Sequence, residues 1–597
     1  MIEDKLVRNK SYLGPIILEC ADIQQGTRLQ SQSFTLTETH KNIMLQLFTL
    51  ATSRYPHVRT NAQAILSNGL QHFPYSYMFI IPKIVETLKV DPEEHHDAYK
   101  GVLYLLFGAH GESIIIKRDW KMLRSLWPTM VLSKTTEKLS VIRLKNNLVE
   151  YVNKHFSATT ITIEIPESCL TAAAALWETS PQPTLPQPNE DEIKNGLNTL
   201  EEIGRSNLET YYGLMNDLLR AILEENLHWR QRLMAMNFIC DIVHPDHIYP
   251  PKVVRYFLEA LIHDSLQERK IAIKTVIFML MQQKRKHPKI TIDIPTIRQA
   301  NQSKGDQDGK LIPGHRPDND WLQYNYDSRP LTAEQWDEPR FIHQSYIGYY
   351  AWPSELEVYA PSSQQPCLDP NVRVLTEHEK EVDAFFNNAQ NIEKLIKFFS
   401  LEEKKGKDRF NAYKYLLFKS IFRNHGDVFL KQFLPHLHKL VTDKQESSQR
   451  CAAEIIAGII RGAKHWPFQM TCNLWDSLLP IIRLALANLT VETMGDWGIC
   501  FATSQRNRDP NRHYWFLECL MEEPRLGESE SSFVECGRLY TLQGALKQQP
   551  WRVTQLLKRL LVRLEDRLFM SPFENVREHL GLILVTVFAA DLRFPQS

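Results

Sequence analysis

Three arginines lie close together in the segment SQRNRDPNRH, at Arg506, Arg508 and Arg512. The planar guanidinium group donates two parallel hydrogen bonds, a geometry that suits phosphate and carboxylate groups. Pro510 disfavours a helix through the segment, so we predict a loop. The three arginines are therefore our candidate anion site. The alternative is three solvated arginines paired with local acids such as Asp509.

Two further basic runs bear on that candidate site. A highly charged anion needs cations from several segments, and Lys404, Lys405, Lys407 and Arg409 in the run 404–409 are the expected second source. The run KRKH at 284–287 follows an apolar helical pattern. Because the helix dipole favours cations at a C-terminus, we assign 284–287 to a solvated helix end.

No catalytic motif is complete in this sequence. GDQDGKL at 305–311 approaches a phosphate-binding loop but has one residue too few between its glycines and lacks the serine or threonine that binds magnesium. His95 and His96 point about 100° apart on a helix, so they do not converge on one metal ion. A thiol nucleophile at Cys500 with His513 has no supporting local motif. We predict neither a catalytic nor a metal site.

The composition argues against several function classes. The 597 residues carry 70 Lys plus Arg and 70 Asp plus Glu, whereas a general nucleic-acid-binding protein is usually basic. Nine cysteines without a CxxC pair indicate reduced thiols in the cytosol or nucleus. The apolar run at 581–590 is too short to span a bilayer, and the charged start MIEDKLVRNK is not the pattern of a secretory signal.

Most of the chain has the 3.6-residue period of amphipathic helices. HKNIMLQLFTLATSRY at 40–55 places apolar residues on one broad stripe, and Pro56 stands where a proline is tolerated in the first turn of a second helix. DPEE at 91–94 has the pattern of another helix start with a capping box. Strand-like alternation is confined to short pieces such as ITIEI at 161–165. These patterns predict an all-α fold.

An arginine followed three residues later by an apolar residue recurs along the chain, at Arg59, Arg230, Arg269, Arg450 and Arg577. Arg230 and Arg269 are 39 residues apart, close to the period of HEAT and armadillo helix pairs. An acid precedes four of the five arginines, and Arg59 is the exception. We predict an α-solenoid of HEAT-like pairs in which each arginine stacks on a neighbouring repeat and meets an acid there.

Two stretches interrupt the helical pattern and divide the chain into blocks. Residues 178–192, ETSPQPTLPQPNEDE, are predicted to form a proline-rich acidic linker. Residues 287–372 contain Gly and Pro throughout but are rich in aromatic residues, unlike disordered linkers. We therefore predict a long irregular insertion that packs in part against the helices or a partner. HEAT-like helical blocks are expected at 1–177, 193–286 and 373–597.

Three long segments carry a resemblance to a known family: YPHVRTNAQAILSNGLQHFPYSYMFIIPKIVETL, LHWRQRLMAMNFICDIVHPDHIYPPKVVRYFLEALIHDS and FNAYKYLLFKSIFRNHGDVFLKQFLPHLHKLV. They are similar to the large HEAT-repeat proteasome activators of the proteasome activator complex subunit 4 family, and the similarity runs along the whole chain. Members of that family are much longer. The sequence therefore resembles a middle-to-late segment or a short isoform.

The resemblance implies a non-enzymatic α-solenoid that forms part of a dome on the 20S proteasome core. There it contacts the α-ring and admits peptides and unfolded proteins without ATP or ubiquitin. The resemblance also implies a location in the nucleus and cytosol, and degradation of acetylated histones in DNA repair and spermatogenesis. It further implies inositol polyphosphate as a bound ligand, for which Arg506, Arg508 and Arg512 are our candidates. We expect neither a membrane nor a direct nucleic-acid partner.

The sequence departs from the family pattern at its last residues. Family members end in a hydrophobic residue, a tyrosine and any residue, and this tripeptide docks in a pocket of the proteasome ring, whereas the chain ends Phe594-Pro595-Gln596-Ser597. We therefore expect gate opening, and the acetyl-lysine reading that the family places near its C-terminus, to need other residues. The alternatives are a general HEAT scaffold that binds peptides or proteins in its concave groove, and a thiol enzyme within 287–372.

Overall fold

The computed structural model describes most of the chain between residues 36 and 593. The described ranges are 36–73, 75–108, 114–156, 161–162, 164–179, 188–224, 227–244, 247–293, 324–338, 355–369, 372–404, 406–506, 508–522, 532–547 and 553–593. The chain divides into two compact units, Met1–His244 and Pro245–Ser597. Within the described ranges, no helix is both long and apolar enough to cross a membrane.

The described residues form 23 α-helices and one pair of strands. The helices of the first unit are α1 (Glu38–Ala51), α2 (Pro56–His72), α3 (Tyr77–Leu88), α4 (His96–Phe107), α5 (Trp120–Leu132), α6 (Leu139–Phe156), α7 (Glu167–Thr179), α8 (Glu190–Glu224) and α9 (Trp229–Asp241). Those of the second unit are α10 (Pro251–Ala260), α11 (Leu266–Gln282), α12 (Ala333–Asp337), α13 (Glu377–Phe386), α14 (Ala389–Phe399), α15 (Ala412–His425), α16 (Leu430–Thr442), α17 (Glu446–Gly462), α18 (Phe468–Ala487), α19 (Met494–Gln505), α20 (Tyr514–Glu522), α21 (Ser532–Leu546), α22 (Thr554–Met570) and α23 (Glu574–Arg593). The strands are β1 (Lys289–Asp293) and β2 (Glu355–Tyr359).

Each unit is a stack of helix pairs in two layers. In the first unit α1, α3, α5 and α8 form one layer, and α2, α4, α6 and α9 form the other. In the second unit one layer contains α10, α13, α14, α16, α18, α20 and α22, and the other contains α11, α15, α17, α19, α21 and α23. Apolar faces are buried between the layers, as the 3.6-residue period predicts. The predicted all-α class with HEAT-like pairs is confirmed.

The insertion packs in part against the helices, as the aromatic content predicts. Strand β1 pairs antiparallel with β2, with Lys289 opposite Tyr359. Within the described segment 324–338, Tyr324 and Trp336 are buried. The Tyr324 hydroxyl donates to Glu518 of α20 at 2.6 Å. The loop-like segment GDQDGKL lies outside the described residues.

Three arginines of the repeated pattern close the turn within a helix pair. Arg59, Arg269 and Arg577 each donate from Nη1 to the backbone carbonyl six residues earlier. The accepting carbonyls belong to Ser53, His263 and Ser571, at 2.9, 2.7 and 2.7 Å. Each carbonyl lies between the two helices of a pair, so the arginine satisfies an acceptor that the first helix leaves open. Arg59 also pairs with Asp97 of the following pair at 3.2 Å.

Arg450 differs from these three because it meets acids in both the preceding and the following repeat. Its guanidinium lies 3.6 Å from Asp408, before α15, and 3.9 Å from Asp496 on α19. The acid that precedes it in sequence, Asp443, instead accepts from Ser448 at 2.7 Å. Arg450 therefore stacks on both neighbouring repeats and meets an acid in each, as the pattern predicts.

One local prediction, the capping box at the start of α4, is wrong. The capping box at 91–94 does not form, because residues 92–94 make a turn and α4 begins at His96. Asp91 and Glu93 instead bind the turn after α5, where Asp91 pairs with Lys134 at 3.0 Å and Glu93 accepts from the backbone of Glu137 at 3.0 Å. These tertiary partners outweigh the local cap.

The predicted linker at 178–192 is helical at both described ends, because α7 ends at Thr179 and α8 begins at Glu190. In the strand-like piece 161–165, residues 161–162 form a bend and 164–165 have no regular structure. The division into five blocks stays a prediction.

Candidate polyanion-binding site

Four neighbouring helices of one layer end at a common edge of the second unit. Helix α15 packs between α11 and α17, and α17 packs against α19. Cationic side chains lie in the last two turns of these helices or just after them, and the helix dipole favours those at the C-termini. These residues, which we call the basic cluster, are Lys284 after α11, Lys419 and Arg423 on α15, Arg461 on α17, Lys464 just after α17, and Arg508 after α19.

A glycine lets two of these helices approach closely. A Cβ atom added to Gly462 on α17 would lie 2.7 Å from the Cβ of Phe422 and 3.0 Å from the backbone nitrogen of Arg423. Only a residue without a side chain allows this approach of backbone to backbone. The contact brings Arg423 of α15 next to Arg461 and Lys464.

Aromatic rings line one side of the basic cluster. The Lys464 ammonium lies 5.9 Å from the ring centroid of Tyr359 on β2. The His465 ring contacts the same tyrosine at 4.5 Å and stacks on His287 at 4.1 Å between centroids. The strand pair of the insertion therefore covers the α17 end of the cluster and shields Lys464 from water.

The clustered cations lower one another's pKa. Burial, together with Arg508, Arg461, Arg423 and Lys419, lowers the pKa of Lys464 to about 7. Burial and the neighbouring cations lower the pKa of Lys419 to about 8 and that of Arg508 to about 9. The charged forms are therefore disfavoured at this edge unless a negative group is bound.

Three of the six cations in the basic cluster have no carboxylate partner in the described part of the chain. Among the described residues, no ion pair joins Lys284, Lys419 or Arg423 to an aspartate or glutamate. Asp509 offsets only part of the effect on the pKa of Arg508. Several cations that share a partly buried edge favour a ligand with several negative charges, because each charge of the ligand then meets a cation in a poorly solvated place.

The three arginines of the predicted anion site lie in different surroundings. Arg508 is buried and belongs to the basic cluster. Arg506 is exposed, and its backbone carbonyl accepts a hydrogen bond from Arg461. Arg512 donates to the backbone carbonyl of Glu338 in the insertion, at 3.2 Å. Anion binding by this loop stays a prediction, and the geometry favours Arg508 over its two neighbours.

The run 404–409 lies at the other end of the same helix layer. Asp408 accepts from the backbone nitrogens of Glu403 at 2.6 Å and Lys404 at 3.1 Å, and so closes the turn before α15. Because α15 has 14 residues, its two ends lie about 21 Å apart. This run therefore does not supply the second set of cations at the C-terminal edge.

Sequence reasoning missed Lys419, Arg423, Arg461 and Lys464. A usable signal was present, because Arg423, Lys464 and Arg508 follow one another at about the 40-residue period of HEAT pairs. Residues at equivalent places in successive repeats stack at one edge of a solenoid. The prediction of a solvated helix end at 284–287 leaves out the proximity of Lys284 to the basic cluster, where Arg423 lowers the pKa of Lys284.

The pKa shifts of Cys500 and His513 are the opposite of those that a thiol nucleophile needs. Burial raises the pKa of its thiol, and burial with Arg508 and Arg461 holds the pKa of His513 well below its usual value. Both groups are therefore neutral at neutral pH, whereas a nucleophilic thiolate needs the opposite shift of its pKa. Cys367, in the insertion, is exposed. No group of three or more metal-ligating side chains occurs in the described ranges.

Known proteins match the chain along its whole length. The family described as "Proteasome activator complex subunit 4-like, HEAT repeat-like" matches residues 252–544, which include the whole basic cluster. Proteasome activator complex subunit 4 of Xenopus laevis is 37% identical over 608 residues, covering 100% of this chain and 33% of that protein. The Homo sapiens protein of the same name is 37% identical over 606 residues, covering 100% and 32%. The chain thus spans about a third of the length of these relatives.

Solved structures align more loosely. A solved structure of Kap95p with RanGDP aligns with 99% of this chain and 67% of its own matched chain, at 10% identity and a TM-score of 0.33. A superposition this loose carries no argument about shape or partner.

Proposed function

Because the chain belongs to the proteasome activator complex subunit 4 family, we propose that it acts as a HEAT-repeat segment of a non-enzymatic proteasome activator. Its stacked pairs would form part of a solenoid wall that caps the 20S core at the α-ring. That wall admits peptides and acetylated histones without ATP or ubiquitin, in the nucleus and cytosol, during DNA repair and spermatogenesis. The supporting observation is the 37% identity along the entire chain.

A chimera tests this proposal. The aligned third of the Xenopus laevis relative is replaced by this chain, and peptide hydrolysis by purified 20S proteasome is measured. We expect stimulation close to that of the unchanged relative, because helix pairs that share a family should stack on the flanking repeats. The control chimera carries an unrelated HEAT segment of equal length. A folded chimera with this chain that stimulates no better than the control would exclude the proposal.

We further propose that the basic cluster holds an inositol polyphosphate. Support comes from the number and arrangement of its cations, which approach from four helix ends, and from Lys419 and Arg423, which form no ion pair with a carboxylate of the described residues. A ring of phosphates presents several dianionic groups in different directions, and each would meet its own cation. The alternative ligand for a general HEAT scaffold is an acidic peptide, which presents its charges along a line.

Calorimetric titration of inositol hexakisphosphate tests the ligand. The double variant Arg423→Gln/Lys464→Gln should bind on the order of ten-fold more weakly than wild type, because two charge-assisted contacts are lost. Lys286→Gln is the matched control, since it removes an exposed cation from the same edge and should leave the affinity unchanged. Equal affinities for wild type and the double variant would show that the basic cluster does not bind inositol hexakisphosphate. Preference for a polyglutamate peptide would favour the scaffold alternative.

Polyphosphate binding should be accompanied by proton uptake. A bound anion returns the pKa values of Lys464 and Lys419, about 7 and about 8 in the free protein, toward the ordinary range of lysine. At pH 7.5 we expect an uptake of about one proton, and an affinity that falls as the pH rises from about 6.5 to 8.5. Titrations in buffers of different ionisation enthalpy measure the uptake. An enthalpy independent of the buffer would contradict it.

A further inference from the structure

Trp336 of the insertion contacts the turn that carries Lys464. It lies in the short helix α12, and its side chain is 4% exposed. The indole Nε1–H donates to the backbone carbonyl of Trp466 at 3.2 Å. Trp466 follows directly after the turn Ala463–His465, which contains Lys464. Trp336 is therefore hydrogen-bonded to the segment that carries Lys464.

The same tryptophan also contacts the loop that carries Arg508. Arg512 donates from Nη2 to the backbone carbonyl of Trp336, and its guanidinium lies 5.1 Å from the centroid of the Trp336 ring. Arg508 and Arg512 lie in the short connection between α19 and α20, where Arg512 is part of the 3-10 turn Asn511–His513. Trp336 thus lies between the two cation-bearing segments and is bonded to both.

Trp466 also contacts a third segment of the basic cluster, the end of α15 that carries Arg423. The indole Nε1–H of Trp466 donates to the backbone carbonyl of Phe422 at 3.1 Å. Phe422 directly precedes Arg423 on α15. Hydrogen bonds therefore run from the insertion through Trp466 to the helix end that carries Arg423.

These contacts matter because the three segments that they join carry cations that repel one another. Lys464, Arg423 and Arg508 are like charges in a partly buried place, where repulsion is weakly screened. We propose that Trp336 is a positioning residue for the basic cluster, holding the Lys464 turn and the Arg508 loop together so that one ligand can meet both. The ligand part of this inference rests on the proposed polyphosphate site.

The test uses two substitutions in the full chain. Trp336→Phe removes the Nε1–H donor but keeps a ring beside Arg512, whereas Trp336→Ala removes both. The affinity for inositol hexakisphosphate should fall about five-fold in Trp336→Phe, as expected for one lost hydrogen bond, and further in Trp336→Ala. Because Trp336→Phe is conservative, it keeps the test decisive where Trp336→Ala fails to fold.

A second readout needs no ligand. The reaction of Lys464 with acetic anhydride is followed against pH by peptide mass spectrometry, since only the neutral amine reacts. When the segments that carry Lys464 and Arg508 move apart, the repulsion at Lys464 weakens and the pKa of Lys464 should rise. The pH profile of Lys464 acetylation should therefore shift to higher pH in Trp336→Phe. A role confined to overall stability would leave the profile of the folded variant unchanged.

Tyr324→Phe is the matched control. It removes the hydroxyl bond to Glu518 at the other end of the described segment 324–338, and both readouts should match wild type. If wild type binds the ligand and the Trp336 variants match it in both readouts, the positioning role is excluded while the proposed site stands. If wild type fails to bind but the Lys464 profile still shifts, the ligand is wrong and the positioning role is supported.

Discussion

Replacement of Arg450 by alanine should lower the free energy of unfolding of the second unit by about 3 kcal/mol. Arg450 is 7% exposed and lies between Asp408 and Asp496, at 3.6 and 3.9 Å. Its Nη1 also donates to the backbone carbonyl of Asp408 at 3.1 Å. Removing the cation leaves two carboxylates in a poorly solvated place, which costs more than the loss of an exposed ion pair. Urea unfolding followed by tryptophan fluorescence measures the change.

The effect of Arg450→Ala should depend on pH. Burial raises the pKa of Asp496, and Arg450 and a backbone N–H from Phe410 partly oppose this shift. A carboxyl whose folded pKa is raised destabilises the folded state as it ionises, so its cost is present above its folded pKa and vanishes at low pH. Without Arg450 that cost is larger. The variant should therefore lose more stability at pH 8 than at pH 4.

Arg230→Ala is the matched control for Arg450→Ala. Arg230 occupies the same place in the repeated pattern but is exposed and lies over the Trp229 ring. Its removal should change the free energy of unfolding by less than about 0.5 kcal/mol. Equal losses from the two substitutions would show that repeat position, rather than the buried carboxylates around Arg450, determines the effect.

The helical stack could be predicted from the sequence because its signals are local. The apolar stripe at 40–55 and the proline at Pro56 act within two turns of chain, and both helices form there. The DPEE segment at 91–94 fails for the complementary reason. Asp91 and Glu93 bind residues more than forty positions later, which no cap pattern encodes.

The candidate site could be predicted only in part because its residues come from distant segments. Arg508 was identified from its own loop. Lys464 and Arg423 required knowing which way each helix end faces, and the period alone does not give that direction. The contact of Trp336 with Trp466 spans 130 residues, and that of Arg512 with Trp336 spans 176. Neither contact leaves a local pattern in the sequence.

Substitution of Gly462 by alanine should destabilise the second unit by about 2 kcal/mol, although alanine is the better helix former. The new Cβ would lie 2.7 Å from the Cβ of Phe422 and 3.0 Å from backbone atoms of Arg423 and Lys419. Backbone cannot rotate away as a flexible side chain can, so α15 must move. Overpacking of this kind costs more than the helix gains from alanine. Thermal and urea unfolding measure the loss.

Gly581→Ala provides the same substitution without the close contact, because Gly581 lies inside α23 and an added Cβ would meet nothing within 4 Å. It should raise the free energy of unfolding by up to about 1 kcal/mol, the opposite sign to Gly462→Ala. Movement of α15 also shifts Arg423 relative to Lys464, so only Gly462→Ala should weaken binding of inositol hexakisphosphate. Stabilisation by both substitutions would mean that α15 and α17 do not approach as closely as the geometry of the basic cluster requires.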